Sequence, residues 1–167
     1  MIKKPFTMKL YVIRHATAHD VGEKGILTDE ARFLTDAGKK EASQLGAYLK
    51  SKSVKLELLA HSPLVRAAET AQILAEHLHC ELRTIEKLST EHDLDDHLDV
   101  LNQLKFMDRV GIVGHQPTLS KLILTLMGAS PRAGLKFTKC AMAVLNLERL
   151  GSTWTGQLVT LLSPADL

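Results

Sequence analysis

Three times along this chain a short apolar run stops at a charged or protonatable residue, and a helix-like pattern follows. Leu10-Tyr11-Val12-Ile13 ends at Arg14-His15, Leu56-Glu57-Leu58-Leu59-Ala60 at His61-Ser62, and Val110-Gly111-Ile112-Val113 at Gly114-His115. Short, mostly unbroken apolar runs mark strands buried on both faces of a sheet. Strands of that kind are parallel, and each parallel pair needs a crossover, usually a helix.

The intervening segments supply the crossovers. Thr35 is a candidate N-cap with Asp36 in the first turn, and Gly38, Ala42, Leu45 and Leu49 recur at helical spacing, predicting a helix over 36–51. Gly38 and Ala42 on its inner face would allow close approach to the sheet. Ser62-Pro63 reads as a capping hydroxyl with proline at the first helical position, opening a helix that carries Leu64, Ala67, Ala71, Leu74 and Leu78. Glu81 to Ile85 is a candidate short strand. The acidic stretch from Glu86 to Asp99 is expected to run into a helix reaching about Lys105. Gln116-Pro117 resembles the second cap, Leu119, Leu122, Ile123, Leu126 and Met127 form the next apolar stripe, and Gly128 closes it.

Ala141 to Leu147 and Trp154 to Leu162 read as strands joined through Glu148-Arg149-Leu150-Gly151-Ser152 as a hairpin. The order predicts an α/β fold: a three-layer sandwich with a mainly parallel central sheet, an antiparallel edge hairpin and helices on both faces. One domain over 8–167 is expected, after a flexible N-terminal tail over 1–7. That leader has two lysines and no apolar segment behind it, so it is not read as a secretory signal, and Met8 is a candidate start.

Composition narrows the function classes. A formal net charge of +2 is too small to argue for nucleic acid or an anionic membrane, and no apolar run has the ~20 residues of a membrane span. Cys80 and Cys140 form no C-x-x-C pair and read as reduced thiols, which points to a cytoplasmic protein. Useful positive charge must therefore be local.

Parallel strands place their ends at one edge of the sheet, where open α/β folds bind ligands. That edge would hold two guanidiniums, Arg14 and Arg66, two imidazoles, His15 and His115, and two helix N-termini whose free N–H groups favour an anion. Two planar arginine forks suit a tetrahedral oxyanion. Arg66 is otherwise badly placed, because a cation in a first helical turn opposes the helix dipole. There is no P-loop, no G-x-G-x-x-G and no convincing metal-ligand set, so neither metal nor cofactor is expected. A phosphoryl group handled without a metal needs a protein nucleophile, and histidine can serve.

Arg14-His15-Ala16, Leu34-Thr35-Asp36-Ala37-Gly38, Ser62-Pro63-Leu64-Val65-Arg66-Ala67 and Val113-Gly114-His115-Gln116-Pro117 resemble the successive motifs of the histidine phosphatase superfamily. The short chain and its closing Leu162-Ser163-Pro164 resemble the phosphohistidine phosphatase SixA branch. The resemblance runs from about Met8 to the end. It implies a metal-independent phosphatase in which His15 accepts the phosphoryl group while Arg14, Arg66 and His115 bind its non-bridging oxygens. Its implied partners are phosphate and a phosphohistidine-bearing protein, such as a phosphotransfer domain or carrier, with no nucleic acid and no membrane. A small phosphate ester is the alternative substrate, and a non-catalytic phosphate-binding regulatory module is the alternative of another class.

Ala16 departs from the family's usual glycine. Alanine is strained there if the position needs a positive φ and harmless if it needs only a small side chain; the second is expected. Relatives acting on esters use a carboxylate to protonate the leaving oxygen, and here Glu91, Asp93, Asp95 and Asp96 are the candidates, none at an unambiguous position. A phosphohistidine substrate relaxes that need. Outside these motifs, His61 is expected to be structural, His77 and His79 to sit at a helix end, and His92 and His97 to lie on a solvated acidic rim. His19 and Asp20, in the long stretch from Ala16 to Leu34, are candidates for touching substrate. Trp154 is assigned to the core.

Overall fold

The computed structural model describes residues 5–167. Six strands form one sheet: β1 (Phe6–Arg14), β2 (Leu58–His61), β3 (Glu81–Thr84), β4 (Arg109–Gly114), β5 (Met142–Leu150) and β6 (Thr153–Leu162). Their spatial order is β3-β2-β4-β1-β5-β6. The β1–β4, β2–β4 and β2–β3 pairs are parallel, while β5 runs antiparallel to both β1 and β6. The mainly parallel sheet with an antiparallel edge hairpin is thus the one the sequence predicts.

Four helices cover it: α1 (Asp36–Ser51), α2 (Val65–Leu78), α3 (Leu94–Gln103) and α4 (Thr118–Leu126). Successive residues of a strand point to opposite faces, and β1 shows both destinations. Tyr11 and Ile13 pack with Ala42, Leu45 and Leu49 of α1 and with Ala67, Ala71 and Leu74 of α2. Leu10 and Val12 pack with Val100 and Leu101 of α3 and with Leu119, Leu122 and Ile123 of α4. Two apolar clusters, one on each face, make the three layers. Trp154 closes one of them, its Nε1–H donating to Asn102 Oδ1 at 2.9 Å.

Thr35 caps α1 by accepting the Gly38 N–H at 3.0 Å. The other helix starts differ from expectation. α2 begins at Val65, two residues beyond Pro63, and Ser62 Oγ accepts the Leu64 N–H at 3.2 Å in the turn before it. α4 begins at Thr118, and Gln116 Oε1 reaches forward to the Ser120 N–H at 3.0 Å. β5 runs on through Leu150, so the hairpin turn is only Gly151-Ser152, with Gly151 at φ +60. β1 starts at Phe6, and Phe6 and Thr7 pair with Arg149 and Glu148; the strand therefore takes in the end of the stretch read as a tail, whose first four residues lie outside the described ones.

Candidate active site

The register sets the three strand ends level. Arg14 lies opposite Gly114, and His61 opposite Val113. The chain then leaves the sheet under control: His15 N–H donates to Gly114 O at 3.1 Å, Ser62 N–H to Val113 O at 3.0 Å, and Cys140 N–H to His15 O at 3.1 Å. His15, Arg66 and His115 are all about 95% buried or more, and Arg14 is partly buried.

The structure brings these four side chains together. The rings of His15 and His115 lie 5.2 Å apart at 50°. His15 Nδ1 lies 2.7 Å from the carbonyl oxygen of Ala16. A carbonyl can only accept, so Nδ1 carries the hydrogen and the neutral ring keeps its lone pair on Nε2. Burial pushes the His15 imidazole down to about 2, against the pull of the Ala16 carbonyl, with smaller help from His115, Lys139 and Arg66. Removal from water is thus the main cause, and the neighbouring cations add to it.

His115 is fixed from the other side. Its Nε2 lies 2.8 Å from Ser62 Oγ, an oxygen that already accepts the Leu64 N–H. Ser62 is fully buried and its O–H has no other acceptor among the described residues, so it donates to Nε2, which puts the His115 hydrogen on Nδ1. That Nδ1 is buried and has no partner among the described residues. Burial and then Arg66 push His115 down to about 3, with Asp29 opposing.

The guanidiniums are anchored at one end and open at the other. Arg14 donates from Nη1 to Phe137 O at 3.0 Å, and Arg66 grips Asp29 through Nη1 to the main-chain oxygen at 2.8 Å and Nη2 to the carboxylate at 3.0 Å. Both Nε–H groups are buried and have no partner among the described residues. Buried donors are nearly always satisfied, so Arg14 Nε, Arg66 Nε and His115 Nδ1 form a set of donors suited to an oxyanion beside His15 Nε2.

Ala16 is fully buried and is not among the residues with positive φ. Its N–H donates to Thr70 Oγ1 at 3.0 Å, and that hydroxyl donates in turn to the Arg66 carbonyl at 2.7 Å. Only a small side chain is required there, and alanine supplies one. A Cβ on Gly38 would strike the Thr17 main-chain carbonyl, so this glycine serves close approach to the loop after β1 rather than to the sheet.

Several residues that hold the site carry no clear sequence signal. Glu41 binds the Thr17 N–H at 2.9 Å and its hydroxyl at 2.8 Å, and Glu69 takes the Leu34 N–H at 2.7 Å; together they pin both ends of the long loop. Asp29 joins Arg66 to Arg32. Lys139, half-buried, has its ammonium pushed down by burial and by Arg14, Arg32 and Arg66, which makes it a further cation of this edge.

The other expectations sort as follows. Asp20 pairs with Arg32 at 3.0 Å, and His19 meets Phe33 edge-on with its Nδ1 3.3 Å from Glu23, so both serve the loop's own structure. His61 is buried and bonded to the Ser62 carbonyl at 2.8 Å, a structural role. His77 packs over Gly46 of α1, with Nε2 3.1 Å from Ser43 Oγ, and His79 ends α2 in a left-handed conformation. His92 pairs with Asp96, but His97 is 1% exposed and belongs to the interior, not to a solvated rim. Among the described residues no three His, Cys, Asp or Glu side chains gather as a metal-binding group. Of the four carboxylates considered as acids, Asp93 caps α3 and Asp96 is held by Lys87 and His92. Asp95 and Glu91 are exposed, and Glu91 shares a small cavity with Pro63 and Leu64 just beyond Ser62.

The fold that carries this edge has clear counterparts among solved structures. The structure superposes on the protein histidine phosphatase SixA complexed with tungstate with a TM-score of 0.81, covering 95% of this chain and 99% of that one at 24% identity. The alpha-ribazole phosphatase of Shigella flexneri gives 0.71, covering 91% and 96% at 18% identity. At these identities the likeness is one of fold. The model of the histidine phosphatase superfamily (branch 1) matches residues 10–97, just over half of the chain, and the protein belongs to that superfamily. An uncharacterized protein of Mycobacterium leprae is 30% identical over 146 residues, 81% of this chain and 87% of that protein. A probable phosphatase of Schizosaccharomyces pombe is 36% identical over 78 residues, 46% of this chain. The chain spans 36% of that relative's length. No described helix is long and apolar enough to cross a membrane.

Proposed function

We propose that this protein is a metal-independent phosphatase working through a phosphohistidine on His15, with a phosphohistidine of another protein as substrate. The observation that carries the reading is His15 itself: a buried neutral ring, its Nδ1–H tied to Ala16 O at 2.7 Å and its Nε2 lone pair left for attack. Arg14 Nε, Arg66 Nε and His115 Nδ1 supply the donors that would hold the three equatorial oxygens as charge spreads over them. In the first step a bond forms from His15 Nε2 to phosphorus while the bond from phosphorus to the substrate nitrogen breaks, and the substrate imidazole, already protonated on its other nitrogen, leaves as a neutral ring. Water then attacks phosphorus, the Nε2–P bond breaks, and phosphate leaves.

No carboxylate touches Arg14, His15 or His115 among the hydrogen bonds and ion pairs of the described residues, and Arg66 is met only by Asp29, already shared with Arg32. An imidazole leaving group makes less demand on an acid than an alkoxide does, which favours phosphohistidine over a sugar phosphate. The second reading, a small phosphate ester, draws on the fold shared with alpha-ribazole phosphatase. Purified protein tested without metal and with a chelator on a phosphohistidine domain and a panel of sugar phosphates separates them. Faster turnover of the phosphoprotein supports the first reading. Faster turnover of an ester supports the second, and wild-type release no faster than that of His15→Ala leaves a non-catalytic phosphate-binding module.

A further inference from the structure

The opposite end of β1 holds a second group of cations that the phosphate site does not use. A cavity of about 380 Å³ lies between the last turn of α1, the start of β1 and the face of the β5–β6 hairpin. Lys9, Lys52, Lys55 and Arg109 line it together with the rings of Tyr11 and Tyr48, and no acidic side chain does. Its size falls within the roughly 300–1,000 Å³ of small-molecule sites.

The charges there are unbalanced. Among the described residues no carboxylate comes within 4.0 Å of any of these four cations. Glu57, whose N–H donates to the Arg109 carbonyl at 3.0 Å, has its carboxylate engaged by the main-chain N–H groups of Asp108 and Arg109 at 2.6 and 2.9 Å. Lys9 and Arg109 are direct register partners on β1 and β4, an arrangement of like charges that disfavours the folded state. Lys52 closes α1, where the helix dipole accounts for a cation; the dipole does not account for Lys9 or Arg109.

A second observation points the same way. Tyr11 is 6% exposed, lines the cavity, and makes no side-chain hydrogen bond with a described residue. The ring is buried, while the hydroxyl is not among the enclosed polar atoms, so it reaches the cavity and is free to bond a ligand there. Tyr11 and Tyr48 add aromatic surface to the lining, with Lys52 Nζ 5.6 Å from the Tyr48 ring centroid. Lys9 and Arg14 are five residues apart on β1, roughly 17 Å at a strand's rise, so this is not an extension of the phosphate site.

We propose that the cavity binds a small polyanion with a flat apolar body, of the nucleoside diphosphate class. The cations hold the phosphates, and the Tyr11 hydroxyl gives one hydrogen bond. The base takes the face of Tyr48 over which Lys52 Nζ now lies at 5.6 Å from the ring centroid, Lys52 turning to the phosphates. The inference does not depend on catalysis at His15.

The test uses full-length protein carrying His15→Ala, so that no ligand is turned over, titrated with ADP and separately with inorganic pyrophosphate. Amide chemical shifts locate the site and calorimetry gives the affinity. ADP should shift Lys9, Tyr11, Lys52 and Arg109 and should bind more tightly than pyrophosphate. Adding Lys52→Gln or Arg109→Gln should weaken ADP by roughly tenfold each, the scale of one hydrogen bond to a charged group. Shifts confined to Arg14, Arg66 and His115 would overturn the proposal. So would the lack of any saturable shift at the cavity with millimolar ADP, or pyrophosphate binding there as tightly as ADP.

Discussion

His15 donates its Nδ1 hydrogen to the carbonyl oxygen of Ala16, the next residue in the chain, across 2.7 Å. One short bond thereby decides which ring nitrogen is free, and it involves the backbone, so no side-chain substitution at position 16 removes it. Phosphate should consequently appear on Nε2 and never on Nδ1.

Both site imidazoles stay neutral far below the ordinary histidine range, His15 at about 2 and His115 at about 3. The pH profile of kcat/KM should therefore lack an acid limb near the usual histidine pKa of ~6.5 that belongs to either ring. Stability should behave differently. Below ~6.5 the unfolded chain protonates both histidines while the folded one does not, so acid favours unfolding by roughly 1.4 kcal/mol per pH unit for each ring. Replacing His115 by Gln should reduce that slope in urea titrations run at successive pH values. An unchanged slope would mean that His115 is protonated in the folded state.

Ser62 sets the His115 tautomer through its 2.8 Å bond to Nε2. Ser62→Ala should lower kcat/KM by about tenfold, as expected for one lost hydrogen bond of ~1–2 kcal/mol. Nitrogen-15 imidazole shifts of His115 should at the same time show loss of the single Nδ1–H form. A mixed tautomer in the wild type would contradict the assignment.

Thr70 supports the site without facing it, accepting the Ala16 N–H and donating to the Arg66 carbonyl. Thr70→Val keeps the shape and leaves a buried N–H unpaired, which should cost about 1–3 kcal/mol of stability by chemical denaturation. A variant as stable as wild type would show that Ala16 N–H finds another partner.

Gly38→Ala drives a methyl into the Thr17 carbonyl. Backbone cannot yield as a side chain tip can, so the loss should be on the order of 3 kcal/mol. It should exceed that of Gly128→Ala, where a methyl meets nothing and only the positive φ is at stake. Thermal melts of the two variants give the comparison, and equal losses would contradict the close-approach account.

Much of the fold was legible because its signals are local. Apolar runs without alternation marked β1, β2 and β4, and Thr35 with its apolar stripe marked α1 to the residue. The four polar side chains at the strand ends stood out for the same reason. What escaped were partners distant in sequence. Glu41 and Glu69 look like solvent-facing helix charges until the long loop is folded against them. Lys139 gains meaning only when the turn it occupies is placed beside Arg14 and Arg66. His97 among carboxylates reads as rim, but its 1% exposure follows from α3 turning that face inward. The starts of α2 and α4 lie beyond their prolines because Ser62 acts in the turn ahead of α2, and Gln116 caps an N–H within the first turn of α4 from outside the helix.

The central claim is a covalent intermediate on His15. Rapid acid-free quenching during turnover, followed by peptide mass spectrometry and phosphorus NMR, tests it most directly. The account predicts an acid-labile phosphate on His15, attached at Nε2, that is missing in His15→Ala. Turnover with no phosphorylated His15 at any quench time, or by His15→Ala at the wild-type rate, would contradict it.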